Sequence, residues 1–375
     1  MTRIFSRLFG QSRNSCNTKK TLYLHIGMGK TGTTALQVFF SGNRKAMEKQ
    51  GIAYPSLGEI EGAHHLLSPH VPRFLERTWN FQSVNDWAPE LACTDADSIL
   101  LSSELMSRAT QDELLPFCAS VMKWFAPKVV IYVRRQDDII MASYNQHIKS
   151  GLQKKQLIDI YQQMIPQFDY EALLSPWENV VGRENIIVRP YEQAQFFGGD
   201  LRRDFLKNVL NIHVHDSFVF AKTNPNPSLT KVAGEYLRMI NNVVFDQARK
   251  ERFRDLLLDL TLNPEKSVDW PRNYESYLPA DIRRAIITKS HASNLVIARK
   301  YMGRENRMLF LDPMPEEEDA WEGNRLPQYI VSSLSAYLAE KDPELILWLG
   351  GELPQYLDDE TDVVRSAATM LTTAL

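Results

Sequence analysis

The chain has 375 residues, 44% of them hydrophobic, and a formal net charge of −3 at pH 7. That is enough apolar material for one large α/β core with an appended helical region, and too little positive charge for general attraction to nucleic acid or other polyanions. Cys16, Cys93 and Cys118 show neither a disulfide framework nor metal-ligand spacing, and no apolar run approaches the roughly eighteen residues that span a bilayer, so a cytoplasmic location is expected.

Residues 1–20 hold Arg3, Arg7, Arg13, Lys19 and Lys20 and no acid, interleaved with Ile4, Phe5, Leu8 and Phe9. Two readings stand for this segment: a frayed basic tail, or a peripheral contact with the anionic inner face of a membrane. It lacks the apolar stretch of a secretory signal. A strand is expected from Thr21 to Ile26, and a helix from Ala35 to Glu48 with Leu36, Phe39, Phe40 and Met47 on one face. Residues 51–97, with His64, His65, Trp79 and Trp87, read as an irregular rim. Ser98–Glu104 reads as a core strand, 112–125 as a helix, 128–135 as a β-branched buried strand, 136–146 as a helix and 185–190 as a further strand. From about 200 onward the pattern turns helical (201–210, 229–244, 246–260, 280–301 and several helices after Gln328), and Pro313, Pro315 and the acids 316–319 mark an exposed loop. This divides the chain into a tail (1–19), an α/β core (20–215) and a mostly helical region (216–375). The expected fold is a three-layer α/β sandwich around a parallel sheet.

The segment Thr21-Leu-Tyr-Leu-His-Ile-Gly-Met-Gly-Lys-Thr-Gly-Thr-Thr34 carries the chemistry. After the strand, Gly27, Gly29 and Gly32 allow a tight turn, so that backbone N–H groups and the positive end of the next helix converge on an anion. Lys30 adds a mobile charge and Thr31, Thr33 and Thr34 add hydroxyls. Gly27-Met-Gly29-Lys-Thr-Gly32 satisfies the dinucleotide pattern, but the second apolar run, ending at Ser56, carries no acid for a ribose. A Walker A loop would need glycine where Leu24 stands.

The remaining form, Lys30-Thr-Gly-Thr-Thr34 directly after a strand, resembles the 5′-phosphosulfate loop of sulfotransferases, which use 3′-phosphoadenosine 5′-phosphosulfate (PAPS). A second segment resembles the part of that family in which a strand-end Arg and a helical Ser hold the donor's 3′-phosphate. Here Arg134 and Arg135 follow the strand, and Ser143 lies eight residues beyond Arg135. The sequence leaves open which arginine faces the nucleotide; an ion pair with Asp137 or Asp138 is the competing role. The stretch from Trp177 to Glu192 resembles the helix and strand that end near the adenine, which makes Tyr191 a candidate contact. Similarity covers roughly residues 20–215, and phrases at 226–230 and 298–304 resemble bacterial members with a longer C-terminal part.

The resemblance implies transfer of a sulfuryl group from PAPS to an acceptor, with Lys30 and the loop amides stabilising charge, no metal ion demanded, and adenosine 3′,5′-diphosphate as product. Glu104 is the first candidate for the base and His65, beside His64, the second. His25 reads as a buried, hydrogen-bonded histidine behind the loop, and His147, one turn beyond Ser143, as either core-facing or acceptor-facing. Aromatic residues in 51–97 and near Tyr144 suit stacking on sugars, so the expected acceptor is a glycan or glycolipid hydroxyl, or a small molecule. The alternatives are a P-loop nucleotide kinase or NTPase with a degenerate loop, a non-enzymatic nucleotide-binding module, and a dehydrogenase.

Overall fold

The computed structural model describes residues 19–73, 76, 78–214, 217–220, 227–263, 276–304, 308–316 and 323–375. Cys16, the basic residues before Lys19, Asn226 and acids 317–319 lie outside the described residues. Strands β1 (Lys20–His25), β2 (Ile52–Ala53), β3 (Ser98–Ser102), β4 (Phe125–Val133) and β5 (Ile186–Pro190) form one parallel sheet in the order β2-β3-β1-β4-β5. Leu24 of the central strand sits opposite Leu101 on one side and Val129 on the other.

Alternation along each strand sends side chains into two apolar layers. Leu22, Leu24, Ile99, Leu101, Val129, Ile131 and Val133 enter one; Leu100, Val130 and Tyr132 enter the other. Because both faces are covered, β3 and β4 carry continuous buried apolar runs, Ile99–Leu101 and Val129–Val133, rather than alternating with polar residues. The helices are α1 (Thr33–Gly42), α2 (Arg44–Glu48), α3 (Val84–Ala92), α4 (Gln111–Trp124), α5 (Gln136–Lys149), α6 (Leu157–Met164), α7 (Tyr170–Val181), α8 (Leu201–Asp204), α9 (Lys231–Val243), α10 (Gln247–Leu262), α11 (Ala280–Met302), α12 (Gln328–Lys341), α13 (Pro343–Glu352) and α14 (Asp362–Ala374). Leu36, Phe39 and Phe40 of α1 pack with Phe205 and Leu206, where α8 runs into a π-helical turn. Residues of α3, α4, α5 and α7, among them Trp87, Phe117, Ile140 and Trp177, cover the opposite face. The expected α/β architecture with a helical C-terminal region is therefore present.

Three local expectations are corrected. The helix expected over 35–48 is two, because Asn43 interrupts it: its amide nitrogen donates to the Phe39 carbonyl at 2.8 Å and its Oδ1 accepts from Val219 N at 2.7 Å. The 51–97 segment contains α3, started by a Ser83–Asp86 capping box, and Trp87 on it is buried core rather than rim. Tyr144 is also buried, its hydroxyl donating to Glu235 Oε1 at 3.0 Å, and offers no face to a sugar.

Beyond the sheet, every residue of α9 is buried, and the helix packs on α5, α10 and α14. A helix without a wet face must satisfy its charges internally. Glu235 accepts from Arg238 Nε at 2.7 Å; burial raises the Glu235 pKa, and Arg238 pulls the other way. Helix α11 contacts α5, α7 and β5, so residues of the C-terminal region share the core cluster of the sheet. Cys93 is exposed, Cys118 is buried, and both are free. Among the described residues, no helix is long and apolar enough to cross a membrane.

Candidate functional site

Chain order reverses around β1, with β3 on one side and β4 on the other, so the crevice at their carboxyl ends is where such a sheet binds ligands. The loop leaving β1 fills that position. Backbone φ is +36° at Gly27, +69° at Lys30 and +77° at Gly32. At Lys30 the left-handed conformation costs on the order of 1 kcal/mol, and a tight turn holds it there: Thr31 donates to the Met28 carbonyl from its N–H at 3.3 Å and from Oγ1 at 2.7 Å. A Cβ on Gly29 would meet nothing within 4 Å, whereas one on Gly32 would lie 2.3 Å from Leu201 Cδ2 and 3.0 Å from Tyr191 Cε2. Gly29 thus faces open space, and Gly32 lets Tyr191 close on the loop. Helix α1 starts at Thr33 with no side-chain cap, so the amides of its first turn, including Thr33 and Thr34, are free for an anion.

Positive charge gathers on this cradle. Burial first, then the cations Lys149 and Arg134, lower the Lys30 pKa to about 8, and Glu104 alone opposes them. Lys30 Nζ donates to Gln146 Oε1 at 2.5 Å. Arg134 Nη1 donates to the Lys30 carbonyl at 3.3 Å, its guanidinium lies 5.6 Å from the centre of the Tyr191 ring, and the Tyr170 hydroxyl donates to its carbonyl. Two segments a hundred residues apart in sequence therefore meet at one loop.

Arg135, the arginine selected by spacing from Ser143, is directed elsewhere. Its guanidinium grips Asp137 through Nε at 2.8 Å and Nη2 at 3.1 Å, and Nη1 donates to the carbonyls of Asp312 and Pro313. Asp137 also pairs with Arg283 at 2.9 Å. Consecutive residues leaving a strand face opposite sides, and Asp137, the ion-pair partner that the sequence offers, claims Arg135 together with the remote carbonyls of residues 312–313. Ser143 itself lines a cavity of about 500 Å³ that begins at Met28 and Gly29 and includes Ser107, Arg108, His147, Phe168 and Asp169. His147 is thus cavity-facing rather than core-facing.

The two candidate bases stand together. Glu104 opens a 3₁₀ turn, Glu104–Arg108, directly after β3, and Glu104 Oε1 lies 3.8 Å from His65 Nε2. Gln37 of α1 donates to Glu104 Oε2 at 3.1 Å and to Ser102 Oγ at 3.2 Å. His65 Nδ1 lies 2.8 Å from Ser103 Oγ, and the ring stacks on Trp79 with centroids 5.5 Å apart. Burial lowers the His65 pKa against the pull of Glu104 and Glu61. His64 is buried with both nitrogens engaged, Nε2 at the Pro55 carbonyl and Nδ1 at Ser102 N, and so has no free nitrogen for an acceptor. His25 is fully buried behind the loop, Nδ1 2.8 Å from Ser102 Oγ, and burial lowers its pKa to about 3.

Sequence reasoning missed Gln37, Gln146 and Arg108. A glutamine on a helix carries no motif, and only the packing of α1 and α5 around the loop shows which atoms these amides meet.

No protein-family model matches the sequence, and no solved structure matches it. A protein of Archaeoglobus fulgidus described as an uncharacterized protein is 27% identical over 222 residues, which is 59% of this chain and 57% of that protein. The chain thus spans little more than half the length of that relative, whose description names no activity.

Proposed function

We propose that the chain is a sulfotransferase that moves a sulfuryl group from PAPS to an acceptor hydroxyl, on a glycan or glycolipid. The observation that carries this reading is the contact between Arg134 and Lys30: two segments that separately resemble the donor-binding parts of sulfotransferases border one uncapped helix N-terminus. The residues fit a doubly phosphorylated nucleotide in charge and space. Gly29 faces open space, Lys30 and Arg134 supply full positive charges, and Tyr191 supplies a ring beside Gly32.

When bound, PAPS supplies an activated sulfuryl group and leaves as adenosine 3′,5′-diphosphate. Lys30 and the first-turn amides of α1 offer fixed positive potential where negative charge grows on leaving oxygens. Glu104, held by Gln37, accepts the proton of the attacking hydroxyl, and His65 beside it orients the carboxylate. The half-buried Trp79, stacked on His65 with Phe81 next to it, gives an aromatic wall suited to a sugar face.

The test is calorimetric and thermal-shift binding of adenosine 3′,5′-diphosphate against ADP with magnesium and against NAD, followed by transfer from labelled PAPS to a panel of glycans and small alcohols. Preferential binding of adenosine 3′,5′-diphosphate and labelled product are expected. Selective stabilisation by magnesium-ADP or by NAD would overturn the reading.

A further inference from the structure

A donor with two phosphates needs positive charge at both ends; of the two arginines that follow β4, Arg135 is engaged with Asp137 and the 312–313 carbonyls, and Arg134 stands at the Lys30 end, against the Lys30 carbonyl and the Tyr191 ring. The cavity that starts at Gly29 has its own cation, Arg108. Ser143 and His147 lie four residues apart on α5, which places them on one helix face, and both line the cavity. Arg108 lines it from the far end of the turn that Glu104 begins; it is exposed and, among the described residues, in no ion pair. The acid in the same lining, Asp169, accepts from Glu171 N, Ala172 N and Ser293 Oγ, where the start of α7 balances its charge. Pro166, Phe168 and Leu173 provide an apolar wall.

We propose that Arg108 and His147, with Ser143, form the subsite for the donor's second phosphate, the one on the ribose 3′ position. The proposal rests on the donor reading above and assigns to it residues that the arginine-to-serine spacing did not select. Arg108 offers a planar fork to phosphate oxygens, Ser143 a hydroxyl, and His147 an imidazole that becomes a charged donor when it takes a proton. The groups facing His147 are Arg108 from the 3₁₀ turn, Lys30 from the loop and Asp169 from the start of α7. Partial burial, then Arg108, then Lys30 lower its pKa, which disfavours the charged ring in the free protein. A phosphate dianion between these groups reverses the field of the two cations. Binding then favours uptake of a proton from solvent onto His147.

The experiment is titration calorimetry of the full chain with adenosine 3′,5′-diphosphate and with adenosine 5′-phosphate, which lacks the 3′ group. Each titration is run at pH 7 in two buffers of different ionisation enthalpy. Arg108→Ala is expected to weaken adenosine 3′,5′-diphosphate by about tenfold or more and adenosine 5′-phosphate by less than about twofold, since a charged hydrogen bond is lost only with the former. His147→Gln is expected to bind adenosine 3′,5′-diphosphate with fewer protons taken up than the wild type, and to leave the adenosine 5′-phosphate titration unchanged. Because Arg108 and His147 are exposed, neither change removes core packing. A wild type that prefers adenosine 3′,5′-diphosphate, with both variants retaining that preference and the proton count, would overturn this subsite alone. A wild type that binds neither nucleotide, or both equally, would overturn the donor reading and the subsite with it.

Discussion

Lys30 Nζ donates to Gln146 Oε1 at 2.5 Å, across 116 positions of sequence. The orientation of the amide is fixed from its other side, since Gln146 Nε2 donates to Ser150 Oγ at 3.3 Å. A neutral oxygen therefore holds the ammonium in place without cancelling its charge. Glu104 alone among Lys30's charged neighbours lies on the negative side; Lys149 and Arg134 add to the positive field. A carboxylate in place of Gln146 would neutralise the cradle at the point where an anion has to enter.

Gln146→Glu is accordingly expected to raise the Lys30 pKa above its value of about 8 and to weaken adenosine 3′,5′-diphosphate by about tenfold, the size of one unfavourable charge near a binding anion. Calorimetry at pH 7 measures it. Unchanged or tighter binding would show that the Lys30–Gln146 contact has no part in holding the anion.

Lys30 also links binding to stability. Its pKa falls from 10.5 to about 8 on folding, so between those values the unfolded chain holds more protons and stability rises with pH. Below about 8 the penalty of the buried ammonium is fully present. Lys30→Ala removes it, and the ligand-free variant at pH 7 is expected to melt no lower than the wild type while nucleotide binding is lost. The difference in melting temperature should shrink as pH rises toward the unfolded-chain value. A variant several degrees less stable at pH 7 would show that Lys30 serves the fold rather than the ligand.

The parts of the site that could be read from sequence are those whose requirements are local. A Gly-rich turn with Lys30 and Thr31 between a short apolar run and a helix start specifies its own backbone, and the β4–α5 segment announces itself by a change of period. What could not be read depends on remote packing. Arg134 and Arg135 are chemically identical and adjacent, and their fates are decided by Tyr191 and the Lys30 carbonyl for one and by Asp137 and residues 312–313 for the other. His64 and His65 likewise separate only because Ser102 N at the end of β3 meets the first and Ser103 Oγ, one residue beyond the strand, meets the second. Sequence offers Trp87, in the 51–97 rim, and the surroundings of Tyr144 for sugar stacking because an aromatic side chain does not reveal in sequence whether its face is wet. Helix α3 was missed because it is short and contains Pro89.

The two loop glycines separate folding from binding. Gly32 has φ of +77° and an added Cβ would lie 2.3 Å from Leu201 Cδ2, so Gly32→Ala is expected to cost about 1–3 kcal/mol in urea unfolding and to push Tyr191 off the loop. Gly29 has open space around the same position, so Gly29→Ala is expected to fold with wild-type stability and to lose nucleotide affinity, because the methyl occupies the cradle. Equal stability of both variants would contradict the packing of Tyr191 and Leu201 against the loop.

In the proposed transfer, the choice of base rests on the geometry around Glu104. Gln37 holds Oε2 at 3.1 Å and His65 Nε2 stands 3.8 Å from Oε1, so the carboxylate is oriented by two neighbours and is itself part-exposed. His65 is turned toward Ser103, stacked on Trp79 and kept neutral at pH 7 chiefly by burial. For the proposed reaction these positions favour Glu104 as the proton acceptor and His65 as its support. Glu104→Gln is expected to lower kcat for transfer by about 10² or more, within the usual range for loss of a general base, without changing adenosine 3′,5′-diphosphate affinity. His65→Asn is expected to lower kcat less and to keep the shape of the pH–rate profile. Should His65→Asn instead erase the acid limb of that profile while Glu104→Gln retains it, the roles are reversed: His65 takes the proton and Glu104 orients it.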